Sequence, residues 1–169
     1  DLGNGTAIQG ICRVNSNGRL DTSFNPDELS ALRPLAMALQ PDGKVLFGGY
    51  AGVINGTYRT GIARLNADGS LDNSFNPGTG VDYEVTSIAR QSDGKVLIGG
   101  YFYTVNGTDR PHLARLNSDG SLDTSFDPHR EDLGSSVICI AQQPDGKVLI
   151  GGDAVIYQNG TLRGGITRL

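Results

Sequence analysis

The sequence predicts an all-β protein assembled from tandem repeats, and three observations predict it. One ten-residue stretch is written three times, as QPDGKVLFGG at 40–49, QSDGKVLIGG at 91–100 and QPDGKVLIGG at 143–152. Asn-Gly-Thr begins at positions 4, 55, 106 and 159, which sets a period of 51 to 53 residues. Within each period the apolar residues come in short runs bounded by turn residues, with no sustained helical spacing.

Each period divides into four strand-like segments, a to d. Segment a covers 35–40, 85–91 and 137–143 and is rich in small residues. It turns through Pro41-Asp42-Gly43, Ser92-Asp93-Gly94 and Pro144-Asp145-Gly146, three-residue loops suited to a type I turn closed by a left-handed glycine. That turn pairs Gln40 with Lys44. Segment b (44–49, 95–100, 147–152) is an apolar run of buried-strand type, and its terminal Gly-Gly implies that backbone passes close to something there.

A longer connection carrying Asn-Gly-Thr follows at 50–60, 101–111 and 153–163. Segment c is the Ile/Leu-X-Arg-Leu-Asn motif and segment d is Ser-Leu-Asp-X-Ser-Phe, joined again by Gly-ended loops. This register sets Asn66 opposite Ser70, Leu65 opposite Leu71, and Arg64 opposite Asp72, with Arg13–Asp21 and Arg115–Asp123 repeating the pair. The repeated charges read as structural. Phe24, Phe75 and Phe126 read as core anchors, each followed by Asn-Pro or Asp-Pro that ends the strand.

Four-stranded antiparallel units at this period fit the blades of a kelch-like β-propeller, and the long meander within each unit argues against a short-rung solenoid. The expected organisation is one repeat region over 1–169, with a partial blade at 1–25, blades at 34–76 and 85–127, and a partial blade at 137–169. Thirteen segments are too few for the four to eight four-stranded blades of a typical ring. An ordered fragment of a larger propeller is expected ahead of a ring closed by several chains.

The pattern QPDGKVLIGG, a loop, then ARLN-X-DGSLDTSF resembles the bacterial delta-60 repeat family, β-propeller domains of unknown function, over essentially the whole chain. The resemblance implies a secreted or cell-surface bacterial protein with many tandem repeats, usually a module of a longer chain, and it carries over no catalytic residues. Departures are mild: Ser92 replaces proline, Asn17 replaces aspartate, and Asp153 replaces an aromatic.

Composition narrows the function classes. Charged residues make up 19% with a net charge of −4, so no basic stripe exists to displace counterions from nucleic acid. No apolar run approaches the length of a membrane-spanning helix, and the start of the chain has neither initiator Met nor signal-like h-region, so it reads as a mature or excised piece. Cys12 and Cys139 sit in apolar strand patterns and read as buried free thiols, with a bridge left open.

Alternating strands put the tight a–b and c–d turns on one face, and the b–c and d–a connections on the other. Binding residues concentrate on dissimilar loops carried by a rigid scaffold. All six tyrosines lie in those connections or at their edges: Tyr50, Tyr58, Tyr83, Tyr101, Tyr103 and Tyr157. His112 and His129 lie there too, as do Arg59, Arg110 and Arg163 before segment c. Tyrosine offers an apolar ring with a polar tip for protein or sugar contact. The plainer readings are that the tyrosines cover blade edges and that the arginines pair with local carbonyls or acids.

Other motifs carry less. Asn66-X-Asp68-Gly69-X-X-Asp72 has calcium-loop spacing but lacks the first aspartate and distal glutamate of that pattern. The Asn-Gly-Thr triplets are formal glycosylation acceptors but turn residues first, and Asp-Gly-Lys lacks the glycine-rich loop of a phosphate site. Asp82 and Glu84 are the acids a glycoside-active enzyme would use, and no nucleophile elbow is present. The expectation is a non-catalytic module without cofactor or metal that binds protein or polysaccharide through its long-loop face. A structural repeat unit of an extracellular adhesin or fibre, meeting further repeats or copies of itself, is the alternative.

Overall fold

The computed structural model describes residues 10–26, 29–30, 33–54, 56–128, 136–158 and 161–168. Within them the chain is all-β: β1 (Leu29–Ser30), β2 (Pro34–Leu39), β3 (Val45–Gly49), β4 (Gly52–Ile54), β5 (Thr57–Arg59), β6 (Ile62–Leu65), β7 (Val85–Arg90), β8 (Val96–Gly100), β9 (Thr104–Val105), β10 (Thr108–Asp109), β11 (Leu113–Leu116), β12 (Val137–Gln142), β13 (Val148–Gln158) and β14 (Thr161–Arg168). No helix among the described residues is long and apolar enough to cross a membrane.

Segments a, b and c of each repeat form an antiparallel sheet: β2-β3-β6, β7-β8-β11 and β12-β13-β14. Segment d joins by a single bridge, Leu65↔Leu71 and Leu116↔Leu122, and Val14↔Leu20 repeats it in the opening unit. It is shorter than the expected strand because Asp72-Asn-Ser-Phe75 folds at once into a turn, Phe75 N–H donating to the Asp72 carbonyl at 3.2 Å. The Asp-X-Ser sequence favours that turn, since Asp72 Oδ1 accepts both the N–H and the hydroxyl of Ser74 at 3.0 and 2.6 Å.

The turns match the register read from sequence. Gln40 N–H donates to the Lys44 carbonyl at 2.8 Å, Asn66 N–H to Ser70 at 2.8 Å, and Asp72 N–H to Arg64 at 2.9 Å. Gly43 and Gly69 close their loops at φ of 82° and 94°, a region that disfavours a side chain.

Blades stack through the inner strands. A Cβ placed on Gly48 would come within 2.6 Å of Val85 Cγ1 in the next blade, and one on Gly99 within 2.6 Å of Val137 Cγ1. This is the close backbone approach that the Gly-Gly pair implied. The core accordingly lies between blades. Leu46 and Ile62 pack with Val85, Ile98 and Phe102; Ile11 and Phe24 pack with Phe47 and Leu65; Leu97 and Leu113 pack with Val137 and Ile150.

Both cysteines are free and exposed, which corrects the buried reading. Alternation buries Ile11 and turns Cys12 outward. A register shift between Val137 and Cys139 re-aims the second thiol.

Candidate functional site

The two faces differ in construction. On the turn face, one carboxylate per blade collects several cationic and hydroxyl donors. Asp72 Oδ2 takes Arg64 Nε at 2.6 Å and Lys44 Nζ at 2.8 Å. Asp123 Oδ2 takes Arg115 Nε at 2.8 Å and Lys95 Nζ at 2.7 Å. Lysine from the a–b turn and aspartate from the c–d segment therefore meet, which puts both turns on one face. Burial pushes the Asp72 carboxyl up, but hydrogen bonds from Lys44, Ser74 and Arg64 outweigh it and hold the group well below the ordinary carboxylate range. Asp123 is lowered chiefly by Lys95 and Ser125.

The same arginine also ties blade to blade. Arg64 stacks on Phe75 at 4.9 Å and donates to the Ser118 carbonyl of the next blade at 2.9 Å; Arg13 stacks on Phe24 and reaches the Ala67 carbonyl. Asp68 Oδ1 accepts the N–H and hydroxyl of Ser70, so the aspartates at calcium-like spacing turn inward on their own loops. The sequence reading found the Arg–Asp pair but missed lysine as its third member. Lys44 and Lys95 each stand 28 residues before the aspartate they meet.

On the opposite face the b–c connection is itself a hairpin in the first two complete units: β4 with β5 and β9 with β10. Asn106 and Gly107 have φ of 48° and 73°, both positive as a type I′ turn requires, which explains Asn-Gly at the tip. Asn106 Oδ1 accepts Thr79 N–H at 3.1 Å, anchoring the tip to the d–a loop. In the third unit the hairpin is continuous with the blade as β13 and β14.

The d–a loop at 77–84 wedges between two hairpins. Toward the second, Asp82 Oδ1 accepts the N–H groups of Tyr103 and Thr104 at 2.8 and 2.9 Å, and Val81 bridges Val105. Toward the first, Val81 N–H donates to the Thr60 carbonyl and the Thr60 hydroxyl donates to Thr79 O. The remaining gap is a cleft of about 190 Å³ between Tyr50, Ala51, Tyr58, Thr60 and Gly61 on one side and Val81, Asp82, Tyr83 and Glu84 on the other. A hydrogen bond to Glu84, followed by its charge, pushes the Tyr50 phenol up. Arg33 lies over the Tyr50 ring, its guanidinium carbon 5.8 Å from the ring centre.

The structure thus brings Tyr50, Tyr58 and Tyr83 together and separates the other candidates. Tyr103 stands edge-on to His112 at 5.1 Å, and Tyr101 N–H donates to the Glu84 carbonyl at 3.0 Å. Arg59 reaches the Tyr58 carbonyl and Asn73 Oδ1, each at 3.4 Å, while Arg110 reaches the Asp109 carbonyl at 2.7 Å and Asp127 at 3.6 Å. His129, its neighbours Glu131 and Asp132, and the side chains of Tyr157 and Arg163 lie outside the described residues. A larger groove of about 510 Å³ runs between β7 and β12 beside the a–b turns, lined by Ala89, Arg90, Ile140 and Gln142 among others, with no aromatic ring.

Tandem antiparallel units stacked through glycine and bound by a repeated charge cluster define a β-propeller repeat protein. The chain belongs to the family described as "Domain of unknown function (DUF5122) beta-propeller", whose model matches residues 40–75, 91–126 and 143–169. The first two matches run from the a–b turn to the phenylalanine that ends segment d. A comparison with curated proteins gave no match.

Proposed function

We propose that this chain is a non-catalytic module of a secreted or cell-surface bacterial protein, of the delta-60, kelch-like kind, that binds protein or polysaccharide through its long-loop face. The observation that carries the reading is the Tyr50–Tyr58–Tyr83 cleft, where exposed rings from two separately anchored segments converge. Clustered aromatic rings on a rigid scaffold give large contact area at small entropy cost. Asp82 favours the non-catalytic reading, because one carboxylate oxygen is committed to two backbone N–H groups. On an array of polysaccharides and proteins, the Tyr58→Ala/Tyr83→Ala double variant is expected to lose the binding of the unaltered chain. Undiminished binding would place function on another face.

One observation favours the second reading, a structural repeat unit. Leu35, Met37 and Leu39 on β2 are 48%, 61% and 72% exposed, an apolar row in which Met37 stands where Ile88 and Ile140 pack against the preceding blade. Such a row suits contact with a further repeat. If so, Met37→Lys reduces self-association in sedimentation; a strictly monomeric unaltered chain would count against it.

A further inference from the structure

We infer that the Tyr50–Tyr58–Tyr83 cleft is a site for a quaternary or fully methylated ammonium group, an inference that rests on the proposed binding role of this face and names its ligand chemistry. Three tyrosines and the Glu84 carboxylate line the cleft. An aromatic face attracts a cation through its quadrupole, and several faces around one carboxylate are the arrangement that holds a cation without hydrogen bonds. The Tyr50 ring already shows this attraction, since Arg33 sits 5.8 Å from its centre.

Two observations select among ligands. A primary ammonium is strongly hydrated and needs three acceptors to replace its water. Asp82 Oδ1 is taken by the N–H groups of Tyr103 and Thr104. A methylated ammonium has no N–H to satisfy, and its methyl groups suit the walls formed by Val81, Ala51 and the rings. Size agrees as well: about 190 Å³ takes a compact head group rather than an extended chain.

The cleft is also specific to its position. In the next unit Asp109 stands where Tyr58 stands, and Pro111 and His112 stand for Thr60 and Gly61, so the three-ring arrangement is not written again at the same places.

The test is a titration of the chain carrying ring-labelled tyrosine, followed by NMR, with tetramethylammonium chloride, choline chloride, trimethyl-lysine, lysine, methyl glucoside and potassium chloride in separate arms. Tetramethylammonium is expected to move the Tyr50, Tyr58 and Tyr83 signals with saturation at about millimolar concentration, and potassium chloride to leave them in place. Choline and trimethyl-lysine then distinguish a free head group from a peptide-borne one. Tyr83→Ala is expected to weaken binding about tenfold and Glu84→Gln about fivefold, with the dispersion of the remaining tyrosine signals showing that each variant stays folded. Equal shifts with potassium chloride, or no shift at a hundredfold higher tetramethylammonium, would overturn the inference. Shifts with methyl glucoside alone would overturn it too, yet leave the binding role of the face standing; array binding that ignores the cleft variants would overturn that role instead.

Discussion

The turn face and the loop face use the same kinds of residue for opposite ends. On the turn face Asp72 and Arg64 are buried, 6% and 9% exposed at the side chain, and each is consumed by neighbours. On the loop face Tyr58 and Tyr83 are 64% and 58% exposed, and Asp82 beside them fixes a loop. Repetition goes with the first face: Arg–Asp, the Asp-X-Ser turn and the Phe stack recur in the three units that contain segment d. Dissimilarity goes with the second. The most repeated residues are therefore those that hold blades together, and the cleft arises where the copies differ.

The largest expected effect comes from the inner strands. Gly99→Val sets methyl groups against Val137 and Ile140, and denaturant unfolding should show a loss of about 3 kcal/mol or complete failure to fold. A well-folded variant of unchanged stability would mean that the blades do not meet there.

Next is the charge cluster, which offers an internal comparison. Arg64→Ala leaves Asp72 buried with lysine alone, strips a ring contact and releases the Ser118 carbonyl, an expected cost of about 3 kcal/mol. Arg13→Ala removes the equivalent pair where the side chains are 40% and 21% exposed, and should cost under about 1 kcal/mol. Equal losses in thermal melts would erase the distinction.

The same cluster sets an acid limit. Asp72 and Asp123 are held below the unfolded carboxylate value of about 3.9, so their contribution is present above that pH and is lost as pH falls through it toward the lowered folded values. The melting temperature should fall below about pH 4, and Asp72→Asn should lower stability at neutral pH while flattening that acid slope. The smallest effect on stability belongs to the loop face: Tyr58→Ala and Tyr83→Ala should each change it by under about 0.5 kcal/mol.

What the sequence disclosed follows from the range of the interactions. Arg64 opposite Asp72 was legible because a three-residue Gly-ended loop dictates which residues face each other. Lys44 joining Asp72 was not, because it depends on how b lies beside c across 28 residues. Asn-Gly marked the hairpin tip, but β9 and β10 have two residues each, too short for alternation to reveal a strand. The positions of Cys12 and Cys139 were misread because an apolar run does not say which side is covered, and a bulge at Val137/Cys139 shifts the alternation. Tyr50, Tyr58 and Tyr83 could be placed on one face from topology. Their convergence could not, since it depends on Asp82 clamping the 77–84 loop to the neighbouring hairpin.

The division of labour between faces is tested most directly by substituting every position in a surface-displayed library and reading display level and binding of the strongest array ligand in the same cells. The account predicts that changes at Gly99, Arg64 and Asp72 lower both signals, whereas changes at Tyr58, Tyr83 and Glu84 lower binding alone. Binding-only positions gathered at the a–b and c–d turns, with the tyrosine cleft silent, would contradict it.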